Sequence, residues 1–206
     1  MSDLKLDSAT IATGLLHDTI EDTNATYKTI KQEFGQEVAD LVEGVTKISV
    51  FENQAIHDVD QKKFSKAENF RKLILATSKD IRVLLVKIAD RLHNMRTIKA
   101  ISKEEKRKRI AQETMEIYAP LADRMGMHRI RDELEDLSFE VLNNDARELI
   151  QKRLDEIKLD KKDIFQTLSV ELKSFLKENN INSQIYGREK TPFSIWRKVQ
   201  KKKRFT

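Results

Sequence analysis

Ile81-Arg82-Val83-Leu84-Leu85-Val86-Lys87-Ile88-Ala89 is the most apolar stretch of the chain, and the residues that follow it decide what it is. Its β-branched content suits a strand. The apolar pattern, however, continues through Leu92, Met95 and Ile98 at spacings of three. That length favours a buried helix from Asp80 to about Ile101. Polar groups interrupt it late, at Asp90, Arg91, His93, Asn94 and Arg96. Asp90 and Asn94 stand four apart and share a helix face. A carboxylate that follows such a stretch is at least partly buried, and a buried carboxylate must be paired or metal-bound. A structural ion pair with Arg91 or Arg96 is the competing reading. His93 falls on a different face and reads as a structural histidine.

Outward from this segment the chain stays helical. Five Gly and two Pro in 206 residues leave few chain breakers, which favours long helices over a many-turned β architecture. A first helix runs from Ser8 to about Thr19, with Asp7 or Ser8 as N-cap. A second covers Tyr27 to Phe34 and stops at Gly35. A third runs from Gln36 to about Val45, with Val38, Leu41, Val42 and Val45 inward. Residues Lys47 to Lys63, weakly periodic and polar, read as a loop over one face. Helix resumes from Ser65 to Thr77. Lys103 to Arg124 is helical with a break or kink at Pro120, and Gly126 closes it. Further helices lie near Ile130 to Leu142, Ala146 to Ile157 and Asp163 to Asn179. The last has Ile164, Leu168, Leu172, Phe175 and Leu176 on its buried side. The character then changes. Ile181 to Tyr186 alternates apolar and polar residues, the strand period. Gly187 follows, and Thr191 to Lys203 reads as a basic helix with Pro192 in its first turn.

Composition narrows the function classes. Apolar residues make up 39% and charged residues 35%, a soluble, charge-rich make-up. The absence of cysteine excludes disulfides, thiolate metal sites and cysteine nucleophiles. No apolar run approaches the ~20 residues of a membrane helix, and the first residues lack the layout of a signal peptide. A cytoplasmic protein without a membrane partner is expected. The net charge of +5 sits largely in Lys103 to Arg109 and Arg197 to Arg204. The first run reads as a solvated helix face. Nucleic-acid binding through Lys201 to Arg204 rests only on a short charge run and is not expected.

His17-Asp18 and Glu21-Asp22 put an imidazole and three carboxylates at the end of the first helix. Four-residue spacing pairs His17 with Glu21, and Asp18 with Asp22. The carboxylates repel one another, and the helix C-terminus adds negative potential. A divalent cation would relieve both, and this donor set suits zinc, manganese or iron(II). A solvated acidic helix end is the competing reading.

Longer motifs carry a resemblance. ATGLLHDTIEDT from Ala12 to Thr23, Val45-Thr46-Lys47, Ala67-Glu68-Asn69, VKIADRLHNMRTI from Val86 to Ile98, ETMEIYAPLADRMGM from Glu113 to Met127 and Glu133 to Leu137 occur in that order. So do Tyr186 to Lys190, Ser194-Ile195 and Arg197-Lys198. The whole set resembles the RelA/SpoT family, bifunctional enzymes that make and degrade the stringent-response alarmone (p)ppGpp. The resemblance implies an all-α, HD-domain helical bundle, followed by the strand-turn-helix start of an incomplete α/β synthetase domain. It divides the chain into a hydrolase region at 1–142, connecting helices at 143–180 and the synthetase start at 181–206.

The resemblance further implies hydrolysis of the 3′-pyrophosphate of (p)ppGpp with Mn2+. It makes His17, Asp18 and Asp90 metal ligands and gives Glu21 and Asp22 the attacking water. Asn94 and Thr97 match positions near the nucleotide. Lys47 matches a substrate-side motif position, and Arg96 a motif position without an assigned role. Arg188, Lys190 and Lys198 match phosphate-contacting positions of the synthetase.

The chain also departs from the pattern. The family's first metal-binding His lies farther upstream than Met1, and no histidine precedes His17. His57, His93 and His128 match no ligand position. Asp123 stands where the family commonly has His, and reads as structural. A weakened or inactive hydrolase without synthetase activity is therefore expected. The alternative is a non-catalytic remnant that binds a guanine nucleotide or pairs with a separately encoded RelA/SpoT fragment.

Overall fold

Asp7 starts the first helix, α1 (Ser8–Leu16). One carboxylate oxygen accepts the Thr10 N–H at 2.9 Å and the other the Thr10 hydroxyl at 2.7 Å. This cap satisfies a backbone donor that has no partner within the helix. A single-turn helix follows, α2 (Thr19–Asp22), then α3 (Tyr27–Phe34), capped by the Thr26 hydroxyl. Gly35 turns the chain into α4 (Gln36–His57) with φ at 89°, a conformation that side chains disfavour. The computed structural model describes residues 6–57, 80–160, 164–187 and 189–203. The expected helix from Ser65 to Thr77 and residues 58–63 of the expected loop lie outside them.

Downstream come α5 (Arg82–Arg96), a 3₁₀ turn at Ile98–Ala100 and α6 (Glu104–Glu113). A widened π turn at Thr114–Tyr118 leads into α7 (Ala119–Arg124). The rest is α8 (His128–Leu142), α9 (Asn144–Asp160), α10 (Ile164–Glu178) and α11 (Pro192–Lys203). No described helix is long and apolar enough to cross a membrane.

The core is built around α5. Val83, Leu84, Val86, Ile88, Leu92 and Met95 are buried with Leu41, Val45 and Ile48 of α4, and with Tyr118, Leu121 and Leu134 beyond it. A smaller cluster of Ile30, Val38, Ala39 and Val42 seats α3. Gly44 sets how closely α4 and α5 approach. A Cβ there would lie 2.9 Å from a Val83 methyl, closer than van der Waals contact permits. Arg82 ties the beginnings of three helices together, reaching Glu37 at 2.7 Å, Asp80 at 2.6 Å and Asp7 at 3.4 Å.

Four expectations need correction. The loop expected from Lys47 is helical to His57, because α4 continues. Ile48 is fully buried and Ser49 faces Lys87 of α5 at 3.0 Å, so a polar residue occupies an inward position and hides the period. At Pro120 the helical run does not break. The preceding turn widens instead, the Ala119 N–H reaching back to the Thr114 carbonyl, and Pro120 sits in the first turn of α7, where its missing donor costs little. The apolar face of α10 is open, with Leu168 50% and Phe175 63% exposed. Periodicity marks which face is apolar, but not what covers it. Finally, residues 181–187 form no strand, and no strand occurs among the described residues. An extended segment without a neighbour has nothing to pair its backbone groups with.

The C-terminal helix packs back on the bundle. Phe193 and Trp196 of α11 meet Phe139 of α8 with ring centroids 5.5 and 5.8 Å apart. Arg197 pairs with the nearly buried Glu135 at 3.1 Å.

Candidate functional site

The first helix ends at Leu16, about three residues before the expected end near Thr19. The chain breaks at His17-Asp18, and α2 begins at Thr19. This break replaces the expected His17–Glu21 stacking with a contact between neighbours. His17 Nε2 lies 3.0 Å from Asp18 Oδ2 and 3.4 Å from Asp90 Oδ1. The ring is fixed from its other side, where Nδ1 donates to the Gly14 carbonyl at 2.8 Å. That bond selects the tautomer with a bare Nε2 in the neutral imidazole. Nε2 is buried and makes no aligned hydrogen bond, although both carboxylates lie within ion-pair distance of it.

Asp90 is the buried member, its side chain 11% exposed. Asn94 donates to its Oδ1 at 2.8 Å, and the buried Lys87 ammonium lies 3.4 Å from its Oδ2. Burial works to raise the Asp90 pKa. The His17 imidazole, Lys87 and Arg91 outweigh it and hold the carboxyl below its ordinary value. Asp90 in turn draws the His17 pKa upward against burial, helped by the Gly14 carbonyl and Asp18. Of the two arginines weighed as ion-pair partners, Arg91 bonds to Glu113 at 3.1 Å and lies over the Tyr118 ring, and Arg96 bonds to Glu133 at 2.6 Å.

These groups open onto a cleft of about 320 Å³. Among the described residues it is lined by Asp18, Glu21 and Asp22, by Lys87, Asp90, Arg91 and Asn94 of α5 with Ser49 of α4, and by Arg109, Ile110 and Glu113 of α6. Lys47 and Thr97 do not line it. Lys47 points to solvent and pairs with Glu43 at 2.7 Å, and the Thr97 hydroxyl bonds to the His93 carbonyl at 3.1 Å. His93 itself is exposed rather than a packed structural histidine. Asp123 pairs with Arg131 and, at 3.2 Å, with His128. Lys190 and Lys198 stand side by side at the C-terminal end, and Lys190 depresses the Lys198 pKa. Arg188 lies outside the described residues, and so does the His57 side chain.

Six lining residues were not singled out as site residues by the sequence reading: Ser49, Lys87, Arg91, Arg109, Ile110 and Glu113. Lys87 stands three before Asp90, a spacing that puts both on one face. Ser49 and Glu113 gave no comparable signal, since each meets α5 only through the packing of helices.

His17 Nε2, Asp18 Oδ2 and Asp90 Oδ1 are the donors a divalent cation would take. Their chemistry fits one: a bare, anchored imidazole nitrogen beside two carboxylates. In this structure His17 contacts each carboxylate directly, and among the described residues no group of three or more such side chains is arranged to hold a metal ion.

Comparison with known proteins places this arrangement. The model of a family described as HD domain matches residues 1–128. The chain belongs to the HD domain family. The likeness to RelA/SpoT proteins read from the motifs is borne out over the full length. The chain is 49% identical over 202 residues to a GTP pyrophosphokinase rsh of Brucella melitensis, covering 98% of this chain and 26% of that protein. It is 45% identical over 206 residues to the bifunctional (p)ppGpp synthase/hydrolase SpoT of Escherichia coli K12, covering 100% of this chain and 28% of that protein. The same figures hold for a guanosine-3′,5′-bis(diphosphate) 3′-pyrophosphohydrolase of Escherichia coli O157:H7. The chain thus spans about a quarter of the length of these relatives.

Proposed function

We propose that the cleft is a metal-dependent phosphohydrolase site that removes the 3′-diphosphate of (p)ppGpp, in a cytoplasmic stringent-response protein. The observation that carries this reading is the meeting of His17, Asp18 and Asp90 around an imidazole nitrogen that is buried, anchored from behind and without an aligned partner.

His17, Asp18 and Asp90 would hold Mn2+, which when bound lowers the pKa of water and offsets charge on phosphate oxygens. Asn94 and Lys87 orient Asp90, one at each oxygen. Glu21 and Asp22, exposed at the cleft wall, take the proton of the attacking water. The water oxygen bonds to the inner phosphorus. The bond to the ribose 3′ oxygen breaks, that oxygen leaves with the electron pair and takes up a proton, and free diphosphate departs. Asn94 and Thr97 would face the nucleotide, with Lys47 on its approach. Residues 1–142 make the hydrolase region, 143–180 connect, and 181–206 open the synthetase, where Lys190 and Lys198 would meet phosphate. With three protein ligands the site should turn over slowly.

Release of diphosphate from ppGpp by the purified chain tests this. The expected result is slow release that requires Mn2+. No release with Mn2+, alongside nucleotide binding by calorimetry, would overturn the catalytic reading. It would favour a second one, a module that binds nucleotide or a separately encoded fragment. Leu15, 82% exposed beside the site, favours that reading, because an apolar side chain so placed invites cover.

A further inference from the structure

Among the described residues, five carboxylates and three cationic side chains line the cleft, and one of the three cations is uncommitted. Two of the three are committed. Lys87 is held between Ser49 at 3.0 Å and Asp90 at 3.4 Å. Arg91 is bonded to Glu113 at 3.1 Å and lies over the Tyr118 ring at 4.2 Å. Arg109 is exposed, and among the described residues it makes no ion pair or hydrogen bond. The carboxylate nearest along its own helix, Glu113 four residues on, is taken by Arg91.

We propose that Arg109 is the phosphate-binding cation of this cleft and grips the diphosphate that is cleaved off. The inference rests on the hydrolase reading and adds a residue to it. The excess of negative charge among the lining residues suits a cation and repels a polyphosphate. A substrate with a diphosphate therefore needs a positive group in the cleft, and among the described residues Arg109 is the lining cation without another bond. Its planar guanidinium offers paired donors that match phosphate oxygens, and a surface arginine gives up little hydration to bind. Around it Lys106 and Lys108 are also exposed and extend the positive field that draws in an anion. The run from Lys103 to Arg109 is thus not wholly a solvated face, because its last residue turns into the cleft.

The test is calorimetric titration of inorganic diphosphate, with Mn2+ present, into the full chain, Arg109→Ala and Arg109→Lys. Mn2+ affinity is measured separately for each. The account expects binding about tenfold or more weaker in Arg109→Ala, partial recovery in Arg109→Lys, and equal Mn2+ affinity in all three. Diphosphate binding equal in the full chain and Arg109→Ala would overturn the role of Arg109 and leave the hydrolase reading standing. A full chain that takes up neither Mn2+ nor diphosphate would bring down both. Arg109 is exposed, so its loss leaves the fold intact, which unchanged helical circular dichroism checks.

Discussion

Helices α5 and α10 are equal in length on paper and opposite in setting. Each has 15 residues and an apolar face at helical spacing. On α5 that face is enclosed, Ile88 and Met95 being wholly buried. On α10 the same kind of face stands open, with Ile164, Leu168, Leu172 and Phe175 all about half exposed. Amphipathic pattern therefore reports the direction of a helix but not its neighbour. The enclosed helix carries the site, because a rigid, buried element can hold Asp90 and Lys87 at fixed distances.

Truncation separates the two helices most sharply. Met95→Ala removes a side chain with no exposure and should cost about 2–5 kcal/mol in urea unfolding. Phe175→Ala on α10 should stay within about 0.5 kcal/mol. Equal costs would mean that the face of α10 is covered in solution.

Polar burial on α5 ranks next. Lys87→Met leaves Asp90 without the ammonium at 3.4 Å and Ser49 without its donor. A loss of about 1–3 kcal/mol is expected, together with weaker Mn2+ binding. Lys87→Arg should recover part of the metal affinity if orientation of Asp90 is what matters. Stability that falls with unchanged Mn2+ affinity would reduce Lys87 to a packing residue.

The contact between α4 and α5 comes third. Gly44→Ala pushes a methyl to 2.9 Å from Val83 and should destabilise by about 1–3 kcal/mol. Val83→Ala in the same chain should relieve most of that strain. Additive losses in the double variant would show that the helices have room to part.

The pH dependence at the seat of α11 is the smallest effect. Burial raises the Glu135 pKa, and Arg197 and Arg131 only partly counter it. A carboxyl whose folded pKa lies above its unfolded one favours folding while protonated, below the unfolded value. That contribution is lost as pH rises through the folded value. Glu135→Gln abolishes the titration, so its melting temperature relative to the parent chain should rise between about pH 4 and pH 7. A constant difference would mean that Arg197 fully compensates the charge.

Much of this was legible in the sequence, for identifiable reasons. The α5 helix stood out because its apolar period outlasts any strand, and Asp90 because a carboxylate breaks that period. His17-Asp18 and its partner Asp90 lie 72 positions apart at the nearer end, and only the family's motif pattern joins them. The rest depended on tertiary contacts. Ser49 looks like loop chemistry until Lys87 is opposite it. Arg109 is one of several similar cations until the packing of α6 turns it into the cleft. The strand expected at 181–186 failed because alternation alone provides no partner strand.

The central claim is that His17, Asp18 and Asp90 form a divalent-cation site. Titration of the full chain with Mn2+, followed by the electron paramagnetic resonance signal of the free ion, tests it directly. The account predicts saturable uptake of a single ion that Asp90→Asn abolishes while helical content is unchanged. No saturable uptake, or uptake that survives Asp90→Asn, would contradict it.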